Sequence, residues 1–159
     1  MYMKKHKRIQ FISVILFYFY MLALVYFLLL SDGFGRLSVY EDYHYNLIPF
    51  QEIKRFILYW KVIDDPFLVT MNLFGNIIAF VPFGALIRWV INRSVRWYQV
   101  LGYTFLLSLS VEVLQLIAKV GVFDVDDLLL NSLGGLIGFW VYYLLRTVDR
   151  RRENSDKGK

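Results

Sequence analysis

The stretch that decides the fold is IQFISVILFYFYMLALVYFLLL, from Ile9 to Leu30, which contains no charged residue. A bilayer hydrocarbon core about 30 Å thick is crossed by a helix of about 20 apolar residues. This stretch is therefore long enough to cross a membrane once. Its length, and the lack of a small-residue cleavage site before Ser31, favour a retained signal anchor over a cleaved signal peptide.

Three further apolar blocks follow, from Phe67 to Ile87, from Trp97 to Ala118 and from Leu128 to Leu145. Glu112 is the only charged residue within them. A soluble domain of 159 residues, of which 58% are hydrophobic, has no core large enough to bury all four blocks. The sequence therefore predicts an all-α, integral membrane four-helix bundle, and a soluble helical bundle is the less favoured alternative.

Basic residues predict the topology, because Lys and Arg are retained on the cytoplasmic side of the membrane. Most of the 18 Lys and Arg residues fall in segment 1–8, in the turn 88–96 and after Leu145. These regions are predicted to be cytoplasmic, so that both termini are inside and connections 31–66 and 119–127 are outside. This topology also explains the net charge of +5, and no nucleic-acid partner is inferred.

The pattern divides the chain into a cytoplasmic N-terminus, 1–8, a membrane domain, 9–146, and a charged cytoplasmic tail, 147–159. The predicted spans are about 9–30, 67–87, 97–118 and 128–145. Within 50–63 the apolar residues recur at helical spacing, with polar residues on the other faces. This pattern favours a short interfacial helix in the outer loop over a loop packed on the helix ends.

Polar residues inside spans are costly, so each needs a partner or a task. Span one has no polar stripe and is expected to be a plain apolar anchor. The polar residues of the other spans and their entry turns form stripes: Asn72 and Asn76 in span two; Thr104, Ser108, Glu112 and Gln115 in span three; Asp124, Asp126, Asp127 and Asn131 in span four. The predicted topology places all three stripes in the outer half of the membrane.

These stripes allow two interpretations. In a polar clasp the groups satisfy one another and hold the bundle together. In a functional pocket they would bind a sugar or peptide head group, an oxygen-ligated cation, or a group that undergoes proton transfer. The pocket is favoured, because a clasp needs fewer groups and hardly four carboxylates. The chain has no cysteine, and its two histidines give poor support for a metal site, so no metal or cofactor is predicted.

Glycines in span four point to helix packing. Gly134 and Gly138 form a G-x-x-x-G pattern, which lets two helices approach closely in a membrane. Close packing is therefore the expected role of these glycines, ahead of a direct functional role.

Four motifs combine these features: Asn46-Leu-Ile-Pro-Phe50, Asn72-x-x-Gly-Asn76-Ile-x-x-Phe80-x-Pro82-Phe-Gly84, Glu112-x-x-Gln115 and Asp124-x-Asp-Asp127-x-x-x-Asn131-x-x-Gly134-Gly135-x-x-Gly138. In this order and spacing they resemble the VanZ-like family. The resemblance implies a multi-pass protein of the bacterial plasma membrane. It also implies an association with resistance to glycopeptide antibiotics, chiefly teicoplanin.

The resemblance implies that the residues matching the polar motifs bind a ligand: Asn46, Asn72, Asn76, Glu112, Gln115, Asp124, Asp127 and Asn131. It supplies no established catalytic residue, and Glu112 and Asp127 are the acid/base candidates. Besides the lipid bilayer, the expected partners are a lipid-linked cell-wall precursor, teichoic acid or a glycopeptide. The alternatives are a membrane-embedded enzyme acting on a lipid-linked envelope precursor, and a structural subunit of a membrane complex.

One position departs from the family pattern. Many members have an arginine two residues before the aromatic residue that leads into the last span, here Phe123. Gly121 occupies that place, and Lys119 lies two residues earlier. If the arginine binds an anionic group in those members, this chain either uses Lys119 or lacks the contact.

Overall fold

The computed structural model describes residues 2–30, 42–59, 66–91 and 94–157. Within these ranges, only the backbone is described for residues 2–6, 29–30, 59, 66–69, 71–72 and 149–157. The described elements are α1 (Tyr2–Val25), a π-helical turn (Tyr26–Leu30), β1 (Tyr45–Asn46), α2 (Gln51–Tyr59), α3 (Pro66–Ile91), α4 (Trp97–Ala118), β2 (Phe123–Asp124) and α5 (Val125–Lys157).

Four of these helices are long and apolar enough to cross a membrane. The apolar segments run from Lys7 to Leu28, from Leu73 to Ile91, from Trp97 to Ala118 and from Val125 to Val148. The predicted all-α four-span architecture is confirmed, and it implies a lipid bilayer environment. The short helix predicted within 50–63 is also present, as α2.

Helices α3 and α5 run parallel and approach each other most closely. An ideal Cβ atom on Gly84 would lie 1.8 Å from the carbonyl oxygen of Gly135, and one on Gly138 would lie 2.0 Å from that of Val81. A Cβ on Gly134 would meet the Ile77 carbonyl oxygen at 2.2 Å. The predicted packing role of the span-four glycines is confirmed, because no side chain fits at these positions while the backbones remain in contact.

The apolar core fills the rest of the space between the spans. One cluster of buried side chains contains Phe83, Ile87, Val95, Val100 and Phe139, and a second contains Leu24, Leu28, Phe80 and Val111. Both clusters draw on α3 and α4. The exposed faces of the spans are also apolar, as expected of helices that face lipid.

Span one is more than the plain anchor that its composition predicts. The Tyr20 hydroxyl donates to the Ala79 carbonyl at 2.8 Å, in the turn of α3 that precedes Pro82. Near the end of the span, Gln115 Nε2 donates to the Leu28 carbonyl within the π-helical turn at 2.7 Å. The expectation was wrong because an apolar sequence still presents backbone carbonyls and a tyrosine hydroxyl.

The Tyr20 bond gives a small, testable effect. Tyr20→Phe is expected to lower the free energy of unfolding by about 0.6 kcal/mol, the average for a hydrogen bond between membrane helices. Equilibrium unfolding of the purified protein in lipid measures the change. Tyr18→Phe is the matched control, because Tyr18 is exposed on the same helix. Equal losses in the two variants would show that the bond to Ala79 contributes nothing specific.

The helix directions give the bundle two different ends. We call the end that holds α2, the two strands and the start of α5 the polar end. The basic end holds the start of α1, the end of α3 and the start of α4. Arg88 and Arg96 lie at the basic end, so the segments predicted to be cytoplasmic share one end of the bundle.

Candidate polar site at one end of the bundle

The two short strands tie the connection after α1 to the segment before α5. They pair in parallel, Tyr45 with Phe123 and Asn46 with Asp124, and the Phe123 N–H donates to the His44 carbonyl at 3.0 Å. Asn46 Nδ2 also donates to both carboxylate oxygens of Asp124, at 3.2 and 3.3 Å. Residues far apart in sequence thus meet through backbone and side chains together.

Asp126 joins α2 to the bundle. Its carboxylate, which is fully buried, accepts the N–H groups of Phe50 and Glu52, the latter at 2.8 Å. These N–H groups lie at the start of α2, where a helix has no internal acceptors. Asp126 therefore caps a helix more than seventy residues away in the sequence.

Asp126 belongs to the predicted polar stripe of span four, but it was not predicted among the ligand-binding residues. The available signal was at the start of α2: Phe50 precedes this helix, and phenylalanine has no side-chain oxygen that could cap it. This leaves the first N–H groups of α2 without a local side-chain acceptor, and an acidic residue elsewhere in the chain can supply one. Phe50 also has a positive φ of 64°, so the turn into α2 holds a backbone conformation that is unusual for a bulky residue.

Glu112 supports the approach to α5 from the end of α4. Only 2% of Glu112 is exposed, and its Oε2 accepts the Asp124 N–H at 3.0 Å. Asp124 Oδ1 in turn accepts the Asp126 N–H at 2.8 Å. The three carboxylates are thus linked through backbone N–H groups, which lets acidic residues lie near one another without direct contact.

Two side-chain pairs connect α5 to its neighbours. Asn76 of α3 donates through Nδ2 to Asp127 Oδ1, and Asn131 Nδ2 donates to Ser108 Oγ of α4 at 2.8 Å. Asn131 is buried, and its Oδ1 has no hydrogen-bond partner among the described residues. These pairs extend the network from the polar end into the bundle.

Most of the residues predicted for the site therefore do come together. The network contains Asn46, Asn76, Glu112, Asp124, Asp127 and Asn131, while Gln115 bonds instead to the π-helical turn that follows α1. Asn72 lies in α3, but its side chain is outside the described residues. No group of three or more His, Cys, Asp or Glu residues in the described ranges has an arrangement that could hold a metal ion.

Burial divides the network into two layers. Asn76, Glu112, Asp126 and Asn131 are buried, whereas Asn46, Asp124 and Asp127 are partly exposed. Burial raises the pKa of the Asp124 carboxyl above its ordinary value, although the Asp126 N–H and the Asn46 amide oppose this shift. The buried layer has the geometry of a clasp, and the outer layer presents an amide and two carboxyl groups beside it.

Gly121 lies next to this network. It is buried, and a Cβ atom there would lie 3.3 Å from the Gln115 Cβ, so any side chain would press on the residue that holds α1. Lys119 ends α4 in a left-handed conformation, and its Nζ lies 4.9 Å from the centre of the Tyr43 ring. The lysine therefore stacks on the segment before β1, which places a cation at the polar end.

A model of the VanZ/LLP1 family matches residues 17–146. This chain belongs to the VanZ/LLP1 family. Protein VanZ of Enterococcus faecium is 28% identical over 128 residues, which cover 79% of this chain and 70% of that protein. No solved structure shows significant similarity to this chain. The resemblance inferred from the motifs is confirmed, and the VanZ/LLP1 match includes the whole polar network from Asn46 to Asn131.

Proposed function

We propose that this VanZ-family protein binds a cell-envelope component at the extracytoplasmic face and thereby lowers susceptibility to glycopeptide antibiotics such as teicoplanin. The observation that carries the proposal is the layered polar network. Buried Glu112 accepts the Asp124 N–H, the Asp126 N–H donates to the Asp124 carboxylate, and buried Asn76 holds Asp127. A rigid inner layer that positions partly exposed polar groups is the arrangement that binding sites need.

The outer layer defines the chemistry of the ligand. Asp124 and Asp127 offer carboxylate oxygens, and Asn46 adds an amide. Such groups favour a ligand with several hydrogen-bond donors, such as sugar hydroxyls, peptide N–H groups or an amine. Lipid-linked cell-wall precursors, teichoic acids and glycopeptides all carry donors of this kind.

The side of the membrane follows from charge. Basic residues at the ends of α1, α3 and α5 share the basic end of the bundle. The positive-inside rule places this end, with both termini, in the cytoplasm. The polar end then faces the cell envelope, and α2 lies along the outer leaflet.

A membrane-embedded enzyme acting on a lipid-linked envelope precursor is the second candidate. It is favoured by the partly buried Asp124 carboxyl, whose raised pKa suits a proton-transfer group, and by Asp127 beside it. This candidate requires turnover. Mass spectrometry of envelope lipids from cells with and without the protein would then reveal a new or missing lipid species. An identical lipid profile would exclude the enzyme and leave ligand binding as the proposed function.

Glu112→Gln tests the proposed binding function. Glutamine keeps the size of the side chain and an acceptor for the Asp124 N–H, but it removes a negative charge from the inner layer. We expect the increase in teicoplanin tolerance to fall by about tenfold, the equivalent of ~1.4 kcal/mol of binding. The measurement is the inhibitory concentration for cells that express each variant, with protein levels in the membrane determined in parallel.

Glu52→Gln is the control, because the Glu52 side chain is partly exposed on α2 and forms a long ion pair with Arg55, at 3.6 Å. It should behave as the unmodified protein. Asp124→Asn provides a second test within the outer layer, since it keeps one acceptor oxygen for the Asp126 N–H. If Glu112→Gln and Asp124→Asn both insert normally and retain full tolerance, the polar end is not the site of function.

A further inference from the structure

Two arginines at the basic end contact neighbouring tyrosines of α5. Arg88 of α3 donates through Nη1 to the Tyr143 hydroxyl at 3.0 Å, and its guanidinium carbon lies 5.2 Å from the Tyr142 ring centre and 5.6 Å from that of Tyr143. Arg146 Nη1 donates to the Tyr142 hydroxyl at 3.5 Å. Both guanidinium groups therefore contact Tyr142, and they lie on one side of the α3–α5 pair.

Neither guanidinium pairs with a described carboxylate. The contacts of Arg88 and Arg146 are with phenol oxygens and aromatic rings, and the ion pair between described side chains, Arg55 with Glu52, lies at the polar end. A guanidinium group has several N–H donors in a planar fork, and a phenol oxygen occupies only one of them. Positive charge and unused donors thus remain at this position.

The depth of the arginines fits the level of lipid head groups. Arg88 lies one turn before the end of the apolar segment that closes at Ile91, and Arg146 lies just before the end of the one that closes at Val148. Because α3 and α5 are parallel, both residues reach the same membrane surface. On the side nearer the bilayer centre, α5 exposes Trp140, an apolar surface suited to an acyl chain.

We propose that Arg88 and Arg146, with the hydroxyl groups of Tyr142 and Tyr143, bind the phosphodiester head group of an anionic phospholipid. The guanidinium fork matches two phosphate oxygens at once, which an ammonium group cannot do. The rings of both tyrosines hold the Arg88 guanidinium in place before the lipid arrives. The site lies at the opposite end of the bundle from the polar network, so it is independent of the proposed function.

Charge retention on the cytoplasmic side does not account for this arrangement. That rule counts Lys and Arg alike and requires no partner for either. Arg88 instead packs its guanidinium against two rings inside the span, with Trp89 beside Tyr142 at a ring-centre distance of 6.0 Å. The geometry is that of an ordered binding group rather than a freely hydrated charge.

Arg88→Lys is the decisive variant. It keeps the positive charge, and therefore the membrane topology, but it loses the planar guanidinium fork that can bind two phosphate oxygens. Native mass spectrometry of the detergent-purified full chain, titrated with phosphatidylglycerol, gives the affinity. We expect Arg88→Lys to bind about tenfold more weakly. Arg8→Lys is the control and should bind as the unmodified protein, since Arg8 is an exposed residue at the start of α1, at the same end of the bundle.

Further titrations distinguish binding of an anionic lipid from binding of free phosphate. Phosphatidylcholine should bind more weakly than phosphatidylglycerol, and inorganic phosphate should not displace the bound lipid. Tyr143→Phe removes only a hydroxyl group from an exposed side chain, so it should fold normally and still weaken phosphatidylglycerol binding. Unchanged affinity in both Arg88→Lys and Tyr143→Phe, or displacement of the lipid by phosphate, would overturn the proposal.

Discussion

Gly84→Ala is expected to prevent α3 and α5 from packing and to remove the folded protein from the membrane. The new Cβ atom would lie 1.8 Å from the Gly135 carbonyl oxygen, and the obstructing atom belongs to the backbone, which cannot rotate away. Overpacking a core with side chains costs about 1–3 kcal/mol, and a clash between two helix backbones lies at or above the top of that range. Yield of monodisperse protein and its thermal transition in detergent measure the loss.

Gly75→Ala is the matched control within the same helix. A Cβ atom on Gly75 has no neighbour within 4 Å, so alanine should leave packing intact and raise helix stability by up to about 1 kcal/mol. Gly102→Ala in α4 has the same open surroundings and the same expectation. A Gly84→Ala protein as stable as Gly75→Ala would mean that the contact between α3 and α5 is looser than described.

Asp126→Ala is expected to release α2 from the bundle while the spans remain folded. The substitution leaves the N–H groups of Phe50 and Glu52 without their acceptor, and each hydrogen bond to a charged group contributes about 1.5–3 kcal/mol. Backbone amides of α2 should therefore lose about a hundredfold or more in protection from hydrogen exchange. Hydrogen exchange followed by mass spectrometry, comparing residues 50–59 with α3, measures this effect.

Two further variants define the cause. Asp126→Asn keeps one acceptor oxygen, the amide carbonyl, and should lose only part of the protection of α2 from hydrogen exchange. Asp42→Ala, at an exposed aspartate of the same connection, should lose none. Exchange in α2 that is unchanged by Asp126→Ala would show that the strands alone hold this segment in place.

The four spans could be predicted from sequence because hydropathy is a local property of each segment. The common depth of the polar stripes was also predictable, since span direction and residue number together set depth. The pairing of individual residues was not, because it depends on how each helix is rotated about its axis. Asp126 and Asp127 are adjacent, yet one caps α2 and the other bonds to Asn76 of α3.

Other features carry no signal in a single sequence. The strands Tyr45–Asn46 and Phe123–Asp124 are too short for an alternating pattern, and they form because the two segments are brought together from elsewhere. The π-helical turn Tyr26–Leu30 has the same apolar composition as the helix before it. Neither the strand pairing nor the bond from Gln115 to this turn could be inferred without the arrangement of the spans.

The close pairing of α3 with α5 also determines the order in which the protein can assemble. The two helices are separated in the chain by α4, and α5 is synthesised after the other three described spans. Until then, Gly84 and the Ile77 and Val81 carbonyls of α3, together with the amide of Asn76, lack their contacts with α5. The contact between α3 and α5 therefore forms only after α5 is synthesised, whereas the cluster of Leu24, Leu28, Phe80 and Val111 requires only the three spans before it.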